Sequence, residues 1–218
     1  MDEKIRQNIE AQYEYFHYSK NYCEENIYQL IRSLKHYFEQ DSFFNQLTPF
    51  FYPTFVINPW NKVPIWKQKL AAEPNLPIIW DYHVILILIL ENEEERYSYI
   101  LDFDTTLPFI TSFNEYFNAC FHAFKTESFE LKRVINETNF LNYFASDRSH
   151  MIFNDEYIVK PPSYEPITNQ EYTNNLNYYT QFNEEDLHNV EMNNGSSLIH
   201  FKFGLIFDEA LFANLSFH

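Results

Sequence analysis

Three side chains in this sequence, a cysteine, a histidine and an aspartate, have the chemistry of a cysteine-nucleophile site. Cys23 comes first, His83 lies within the segment Trp80-Asp81-Tyr82-His83-Val84, and Asp102 follows. Such a site needs a thiolate, a base that later acts as an acid, and a group that orients the base. These three residues could fill those roles if the fold brings them together.

The cysteine precedes a segment with helical periodicity. Apolar residues recur at helical spacing, at Ile27, Leu30, Ile31, Leu34 and Phe38. The pattern predicts an amphipathic helix from Glu24 to about Gln40. Cys23 would then lie at a helix N-terminus, where the dipole and free N–H groups lower a thiol pKa. Glu24 and Glu25 oppose this effect if they point at the sulfur, and a histidinium partner would then be needed to hold the thiolate.

The histidine lies in a segment typical of a buried strand. Residues 78–90 are mostly apolar, an acidic loop follows, and residues 97–103 have a second strand-like pattern, which predicts an antiparallel hairpin. In one register His83 faces Asp102, and in a register shifted by one loop residue it faces Asp104, with Asp102 on the diagonal. Either register places all three side chains on one face, with Cβ atoms about 5 to 8 Å apart. The identity of the orienting acid therefore stays open.

Other segments have the patterns of strands and helices around this hairpin. The predictions are strands over Phe50–Asn58, Phe129–Ile135 and Leu198–Phe207, a helical stripe from Phe109 to Phe124, short helices over Thr138–Phe144 and Asp208–Asn214, and an irregular Val63–Gln68. Cys120 lies on the helical stripe and is predicted to be a core thiol, since buried cysteine behaves as a small hydrophobe. The predicted fold class is α+β, and a cysteine heading a helix before a sheet histidine is the arrangement of papain-like folds.

Composition predicts one globular domain with an acidic surface. The chain has 218 residues, of which 45% are hydrophobic and 20% aromatic, so it can form a sizeable core. Its 15 basic and 31 acidic residues give a formal net charge of −16, which disfavours nucleic acid as a partner. The charge favours cationic ligands, including the α-ammonium of a peptide, unless it serves only to keep an aromatic-rich protein in solution.

The sequence gives no support to a metal, disulfide or membrane function. Cys23 and Cys120 are too few for a disulfide scaffold or a cysteine-rich zinc site, and the other histidines show no paired spacing of metal ligands. The N-terminus lacks the apolar stretch of a secretory signal. The most apolar run, Val84–Leu90, is far shorter than the roughly 20 residues that span a bilayer. We expect a soluble protein in a reducing compartment, without a bound metal.

Several blocks of the chain, in the same order, resemble the protein N-terminal glutamine amidohydrolase family, also named the WDYHV family. The matching blocks are Tyr22-Cys23-Glu24-Glu25-Asn26, Val63-Pro64-Ile65-Trp66-Lys67-Gln68, Trp80-Asp81-Tyr82-His83-Val84, the segment from Leu101 to Phe109, the segment from Asn142 to Met151, and Pro161-Pro162-Ser163-Tyr164. The chain departs from the family pattern in a long aromatic-rich segment before Trp66 and beyond about residue 170. Both departures could reshape the mouth of the substrate cleft.

The resemblance implies a role for each of the three side chains, a fold and an activity. Cys23 would be the nucleophile, His83 the base and Asp102 the orienting acid. The implied fold is an α/β sandwich, papain-like or transglutaminase-like, with an antiparallel sheet flanked by helices. Members act on the side chain of an N-terminal glutamine, release ammonia and leave glutamate, a product that enters an N-degron pathway in which arginylation follows.

These implications set the expected partners and organisation. We expect peptides and proteins with an N-terminal glutamine as substrates, with no cofactor, nucleic acid or membrane. A monomer located in the cytosol, with the nucleus as a second location, is predicted. Residues 1–218 are expected to form a single catalytic domain, in which 1–20 and about 169–196 are peripheral or loop-rich.

Recognition of a chain terminus requires groups that pair with its α-ammonium. Asp147, Asp81 and Glu24 are candidates by charge and by motif position, and a solvated or structural carboxylate is the alternative for each. Arg148 is expected to tie down its own loop by pairing with a carboxylate rather than to contact substrate.

Two other functions are also consistent with these residues. A cysteine peptidase or transglutaminase of the same fold shares the nucleophile and the base but acts on internal sites. A non-catalytic module could instead keep the fold and bind N-termini. Intact Cys23, His83 and Asp102 weigh against the module, because a protein without catalysis would be free to lose any of them.

Overall fold

The computed structural model describes residues 1–121, 131–181, 202–208 and 212. Its strands are β1 (Thr48–Ile57), β2 (Val63–Ile65), β3 (Ile78–Trp80), β4 (His83–Glu91), β5 (Arg96–Leu101), β6 (Ile110–Ser112), β7 (Leu131–Val134), β8 (Ile152–Phe153), β9 (Glu156–Tyr157) and β10 (Leu205–Asp208). Its helices are α1 (Asp2–Glu10), α2 (Cys23–Gln40), α3 (Phe113–Cys120), α4 (Glu137–Tyr143) and α5 (Asn177–Thr180).

A six-stranded antiparallel sheet forms the centre of the molecule. Its spatial order is β10–β7–β1–β4–β5–β6, so the two longest strands, β1 and β4, lie side by side in the middle. Two separate ribbons are formed by β2 with β3 and by β8 with β9. The prediction of a mixed α and β structure with an antiparallel sheet flanked by helices is confirmed.

Strand β4 is buried on both faces, which explains its continuous apolar sequence. Alternate residues of a strand point to opposite faces of the sheet. One apolar cluster, which contains α2, takes Val84, Leu86, Leu88 and Leu90. The opposite cluster, which contains α3, takes Ile85, Ile87 and Ile89. The sheet is therefore a layer between helices, and His83, the first residue of β4, is buried with the rest of the strand.

Helix α2 begins at Cys23, one residue before its predicted start, and ends at Gln40 as predicted. All five apolar residues of the predicted stripe are buried, and the helix packs on β4 and β1. Helix α1 joins the same cluster through Ile5 and Ile9, which are fully buried. The nucleophile candidate thus lies at the end of a helix that is fixed along its whole length.

The predicted strand over residues 78–90 is two strands, β3 and β4, separated by Asp81 and Tyr82. Strand β3 pairs with β2, so the segment 63–68, expected to be irregular, begins with a strand. Oδ1 of Asp81 accepts the backbone N–H of Tyr82 at 3.0 Å. This local bond removes the donor from strand pairing and interrupts the predicted strand.

The β4–β5 hairpin has the second of the two predicted registers. Leu86 pairs with Leu101 at the inner end of the ladder, and the same register, continued, would place His83 opposite Asp104. The ladder ends before that point, because the chain leaves the sheet after β5. The imidazole then bonds to its diagonal neighbour Asp102.

The helical stripe predicted from Phe109 is a helix only from Phe113, where α3 begins. The residues before it form the edge strand β6, which pairs with β5. Strand β7 lies within its predicted range, and α4 is one residue from its predicted bounds. The side chain of Asn136 caps α4 by accepting the N–H of Thr138 at 2.9 Å.

Some predictions fall where the structure gives no description. For the predicted final strand over Leu198–Phe207, the structure describes the three residues 202–204 and strand β10. Residues 198–201 lie outside the described part. The same holds for residues 182–196 of the predicted loop and for most of the predicted helix over Asp208–Asn214. Within the described ranges, no helix has the length and apolar character needed to cross a membrane.

Leu88→Ala is expected to lower the free energy of unfolding by about 2 to 5 kcal/mol, because this fully buried side chain would leave a cavity. Chemical denaturation followed by circular dichroism measures the loss. Leu76→Ala is the control, since Leu76 is 48% exposed and its truncation should cost less than ~0.5 kcal/mol. Equal losses in the two variants would contradict the burial of β4.

Candidate active site

The turn before α2 positions Cys23 at the start of the helix. The side chain of Asn26 accepts the backbone N–H of Ser19 at 2.7 Å and donates to the carbonyl of Ser19 at 2.8 Å. Asn21 has a left-handed backbone, with φ of 63°, and reverses the chain into the helix. Cys23 is 8% exposed and lines a cavity of 680 Å³.

His83 and Asp102 form a buried hydrogen-bonded pair. His83 Nε2 and Asp102 Oδ1 are 3.0 Å apart, and both side chains are almost completely inaccessible to solvent. The ring of Trp80 stacks on the imidazole with the two centroids 5.1 Å apart. The other ring nitrogen, Nδ1, has no hydrogen-bond partner among the described residues. Nδ1 is therefore the nitrogen available for proton transfer.

Asp102 accepts four hydrogen bonds, two at each oxygen. Oδ1 accepts from His83 and from the backbone N–H of Asp104 at 2.9 Å. Oδ2 accepts from Gln68 Nε2 at 3.0 Å and from the Tyr116 hydroxyl at 2.7 Å. Burial by itself raises the pKa of Asp102, but the charge of His83 and these hydrogen bonds outweigh burial and hold the pKa below its usual value. Asp102 is therefore ionised at neutral pH.

The ionised Asp102 in turn stabilises the charged form of His83. Burial alone lowers the pKa of an imidazole, because it disfavours the cation. The charge and hydrogen bond of Asp102, with a smaller contribution from Asp104, nevertheless raise the pKa of His83 above its usual value. A stabilised imidazolium is what a base requires once it has taken a proton.

The thiol of Cys23 lies against Glu24. Its Sγ is 3.6 Å from Glu24 Oε2, which also accepts the Tyr82 hydroxyl at 3.1 Å. Burial, followed by the charge of Glu24, raises the pKa of the Cys23 thiol well above its usual value, although the backbone N–H of Val84 opposes the shift. The lower pKa expected at a helix N-terminus is therefore wrong, because burial and the neighbouring carboxylate outweigh the helix.

The second acid of α2, Glu25, forms a buried ion pair with Arg148. Nε and Nη2 of Arg148 donate to the two carboxylate oxygens at 2.8 and 2.9 Å. The guanidinium also lies over the Tyr164 ring, 5.1 Å from its centroid, and donates to the carbonyls of Pro162 and Glu165 at 3.4 Å. The prediction that Arg148 ties down its own loop through a carboxylate is confirmed.

The three carboxylates predicted to bind a substrate ammonium have different surroundings. Asp81 is exposed and lines the cavity. Glu24 is fully buried beneath Tyr82 and is not among the described residues of the cavity wall. Asp147 is exposed, and its Oδ1 accepts the backbone N–H of Ser149 at 2.9 Å and the side chain of Asn174 at 2.7 Å. Asp147 thus closes a turn beside the cavity.

The sequence did not predict the two side chains that donate hydrogen bonds to Oδ2 of Asp102. Gln68 lies just after β2, and Tyr116 lies on α3, the helix that packs on the face of the sheet opposite α2. Gln68 falls inside a block that carries the family resemblance, and this was the one indication of its role. The pattern of α3 contained no such indication for Tyr116, because an aromatic residue at helical spacing is equally consistent with the core.

Two further residues of the cavity wall were also not predicted as part of the site. His150, interpreted as an ordinary histidine, lies with Nε2 3.5 Å from Oε1 of Glu24. Burial lowers the pKa of His150, but hydrogen bonding and the charge of Glu24 raise it above its usual value. Asp104, which was considered only as an alternative to Asp102, lines the same cavity.

Donor atoms of His83, Asp102 and Asp104 lie within 4.8 Å of one another, as in many metal sites. The four hydrogen bonds to Asp102, however, occupy all of the acceptor positions of a carboxylate. Its donors are two side chains, one backbone N–H and the imidazole. A metal ion at this position would have to displace at least one of them, so these residues fit a hydrogen-bonded pair better than a metal centre.

A thiol at a helix start, a cavity, and a buried imidazole–carboxylate pair are the components of a site for nucleophilic attack on a carbonyl carbon. The backbone N–H of Val84 acts on the Cys23 sulfur, which places the thiol beside the strand end that carries His83. The site therefore contains the side chains found in the class of proteins that transfer an acyl group through cysteine.

Comparison with known proteins agrees with this class. The family model for N-terminal glutamine amidase matches residues 18–215. Relatives named protein N-terminal glutamine amidohydrolase include one from Oryza sativa subsp. indica, 33% identical over 90% of this chain and 85% of its own length. Another, from Danio rerio, is 36% identical over 73% and 76%, and one from Caenorhabditis elegans is 32% identical over 77% and 86%. The chain belongs to the N-terminal glutamine amidase family.

Arg148→Met is expected to lower the free energy of unfolding by about 3 to 5 kcal/mol, because it leaves the buried Glu25 carboxylate without a cation. Urea denaturation of Arg148→Met, Glu25→Gln and the double variant completes a double-mutant cycle. The double variant should lose less than the sum of the single losses. Additive losses would contradict a direct pairing of the two side chains.

Alkylation of Cys23 by iodoacetamide should keep accelerating above the pKa of about 8.5 of a free cysteine, because only the thiolate reacts and the pKa of Cys23 is raised. Glu24→Gln should move the profile to lower pH, since it removes a negative charge beside the sulfur. Peptide mapping by mass spectrometry assigns the product to Cys23 rather than Cys120. Glu39→Gln, on an exposed position of the same helix, is the control. A profile unaffected by Glu24→Gln would contradict the assigned cause.

Proposed function

We propose that this protein hydrolyses the side-chain carboxamide of an N-terminal glutamine in peptides and proteins, leaving glutamate and releasing ammonia. Family membership and the names of the relatives support the choice of substrate. The observation that carries the chemistry is the 3.0 Å hydrogen bond between His83 and Asp102, in which Nδ1 has no hydrogen-bond partner among the described residues. Cys23 lines the cavity, and its sulfur interacts with the backbone N–H of Val84, the residue that follows His83.

In the first half-reaction, Nδ1 of His83 takes the proton of the Cys23 thiol, and the sulfur attacks the carboxamide carbon. Because the thiol pKa is raised, the proton leaves only as the substrate approaches, and Asp102 stabilises the imidazolium that results. As the first residue of α2, Cys23 has a backbone N–H that the helix does not use, and this group would hold the oxyanion. Loss of one such donor typically costs about 100- to 1000-fold in rate.

The proton on His83 then leaves with ammonia, as the carbon–nitrogen bond breaks and a thioester to Cys23 remains. Water attacks the thioester carbon while Nδ1 of His83 takes a proton from it. The carbon–sulfur bond breaks, the proton on His83 returns to the thiolate, and the carboxylic acid that forms loses its remaining proton to solvent or to the released ammonia, leaving a carboxylate. No oxidant, metal or second substrate besides water is required for this sequence.

We also propose that the fold is related to the papain-like and transglutaminase-like folds. Its support is the placement of the thiol at the start of a helix packed on a central antiparallel sheet, with the imidazole on a middle strand of that sheet. Asp81, at the mouth of the cavity, is proposed to attract the cationic end of the substrate. Glu24 is proposed to act indirectly, through Tyr82 and the thiol, and Asp147 through the turn that it closes.

The test is mass spectrometry of a short peptide with an N-terminal glutamine after incubation with the protein. Conversion of the carboxamide adds about one dalton, and Cys23→Ser should abolish it, because a hydroxyl is a far weaker nucleophile here. The same peptide with an acetylated N-terminus is the substrate control and should stay unchanged. Cleavage or crosslinking would support the peptidase or transglutaminase alternative. Tight binding without any mass change would support the N-terminus-binding module.

A further inference from the structure

The cavity beside Cys23 contains one buried acid that contacts none of the reacting atoms in the proposed mechanism. Asp104 is only 3% exposed, yet it lines the cavity together with Cys23. Its Oδ1 accepts the hydroxyl of Tyr18 at 2.6 Å, and the described residues give Oδ2 no hydrogen-bond donor. One carboxylate oxygen is thus fixed by the Tyr18 hydroxyl, and the other has no hydrogen-bond partner in the described part of the chain.

The positive charge around Asp104 does not offset its burial. Burial raises the pKa of Asp104, and the neighbouring Asp102 raises it further, against the opposing effects of His83, Tyr18 and Lys69. Lys69 itself donates its Nζ to the carbonyl of Phe103 at 2.8 Å. A buried carboxylate without full compensation is stabilised by a cation that enters its site.

A second acceptor without a partner lies on the same cavity wall. Asn21, in the turn that follows Tyr18, has a buried side-chain oxygen that accepts no hydrogen bond from the residues that the structure describes. Its backbone is left-handed, with φ of 63°, a conformation that costs energy for a residue other than glycine. The turn is clamped by Asn26, so this arrangement is held by the surrounding structure.

The length of a glutamine side chain is also consistent with an α-ammonium site at Asp104. The α-nitrogen of a glutamine lies about 5 Å from its own carboxamide carbon when the side chain is extended. Asp104 is close enough to Cys23 for its charge to act on the thiol. Because Cys23 and Asp104 line the same cavity, a glutamine whose carboxamide meets Cys23 can extend its α-nitrogen toward Asp104.

We propose that Asp104 binds the α-ammonium group of the substrate, with the side-chain oxygen of Asn21 as a second acceptor. The assignment rests on the proposed function and supplies its selectivity for a chain terminus. An internal or acetylated glutamine brings an amide in place of a cation, and would leave the buried carboxylate unpaired. Asp81 is a weaker candidate because it is exposed and screened by water, and Glu24 because it is not among the described residues that line the cavity.

The experiment compares two substrates that differ only in the ammonium group. One is a peptide with an N-terminal glutamine, and the other is the same peptide with the α-amino group replaced by hydrogen. Asp104→Asn should lower kcat/KM for the first about 100-fold, the size of effect seen when one partner of a buried charge pair is lost, mainly through KM. The second substrate should change by less than about threefold.

Asn21→Gly removes the second acceptor and keeps the left-handed backbone. It should reduce kcat/KM for the ammonium substrate about fivefold, again without effect on the analogue. Glu39→Gln serves as the control for the loss of a distant negative charge. Equal losses on both substrates in Asp104→Asn would overturn the proposal, because Asp104 would then act through His83 or the fold. Selective loss in Asp81→Asn instead would overturn it in favour of Asp81.

A binding measurement distinguishes failure of the proposed function from failure of the ammonium site. If the wild-type protein hydrolyses neither peptide, calorimetric binding of the same two peptides still tests the ammonium site. Preferential binding of the ammonium peptide, lost in Asp104→Asn, would support the site without the reaction. Equal binding of both peptides by the wild-type protein would overturn the site.

Discussion

The burial of the Asp102 carboxylate is the constraint on which the site and much of the fold around it depend. An ionised group without water is costly unless hydrogen bonds satisfy it. Its four donors come from β4, from the segment after β2, from α3 and from the chain just after β5. Displacement of any one of these segments would remove a hydrogen bond from the buried carboxylate. The hydrogen bonds that fix the imidazole therefore also hold β4 and β5 against the elements around them.

The start of α2 shows the same principle with a different outcome. Its two acids are adjacent in sequence and both fully buried, but Glu25 is neutralised by Arg148, while Glu24 faces a thiol, a phenol and an imidazole. The first arrangement fixes a loop. The second favours the protonated thiol, which under the proposed mechanism would limit its reaction with anything but the bound substrate.

The electrostatics of the cavity agree with a cationic ligand. Two carboxylates, Asp81 and Asp104, one imidazole, His150, and one phenol, Tyr82, are its ionisable side chains besides the thiol among the described residues of its wall. The exposed acid at the mouth and the buried one beside the thiol lie within a protein of net charge −16. Such a field raises the local concentration of cations at the cavity. In our proposal, the buried Asp104 then selects among them, because water does not screen its interaction.

The sequence by itself determined the local structure and the chemical inventory. Periodicity gave α2 within one residue, the β4–β5 hairpin followed from two apolar runs around an acidic loop, and the resemblance named Cys23, His83 and Asp102. These features depend on neighbours in the chain, which a sequence displays. Tertiary structure decided which aspartate bonds to His83, because that depends on where the ladder ends and the chain bends. It also decided the direction of the Cys23 pKa shift and brought Tyr116, Gln68 and Asp104 to the site, since burial and contacts between distant segments arise only when the layers pack together.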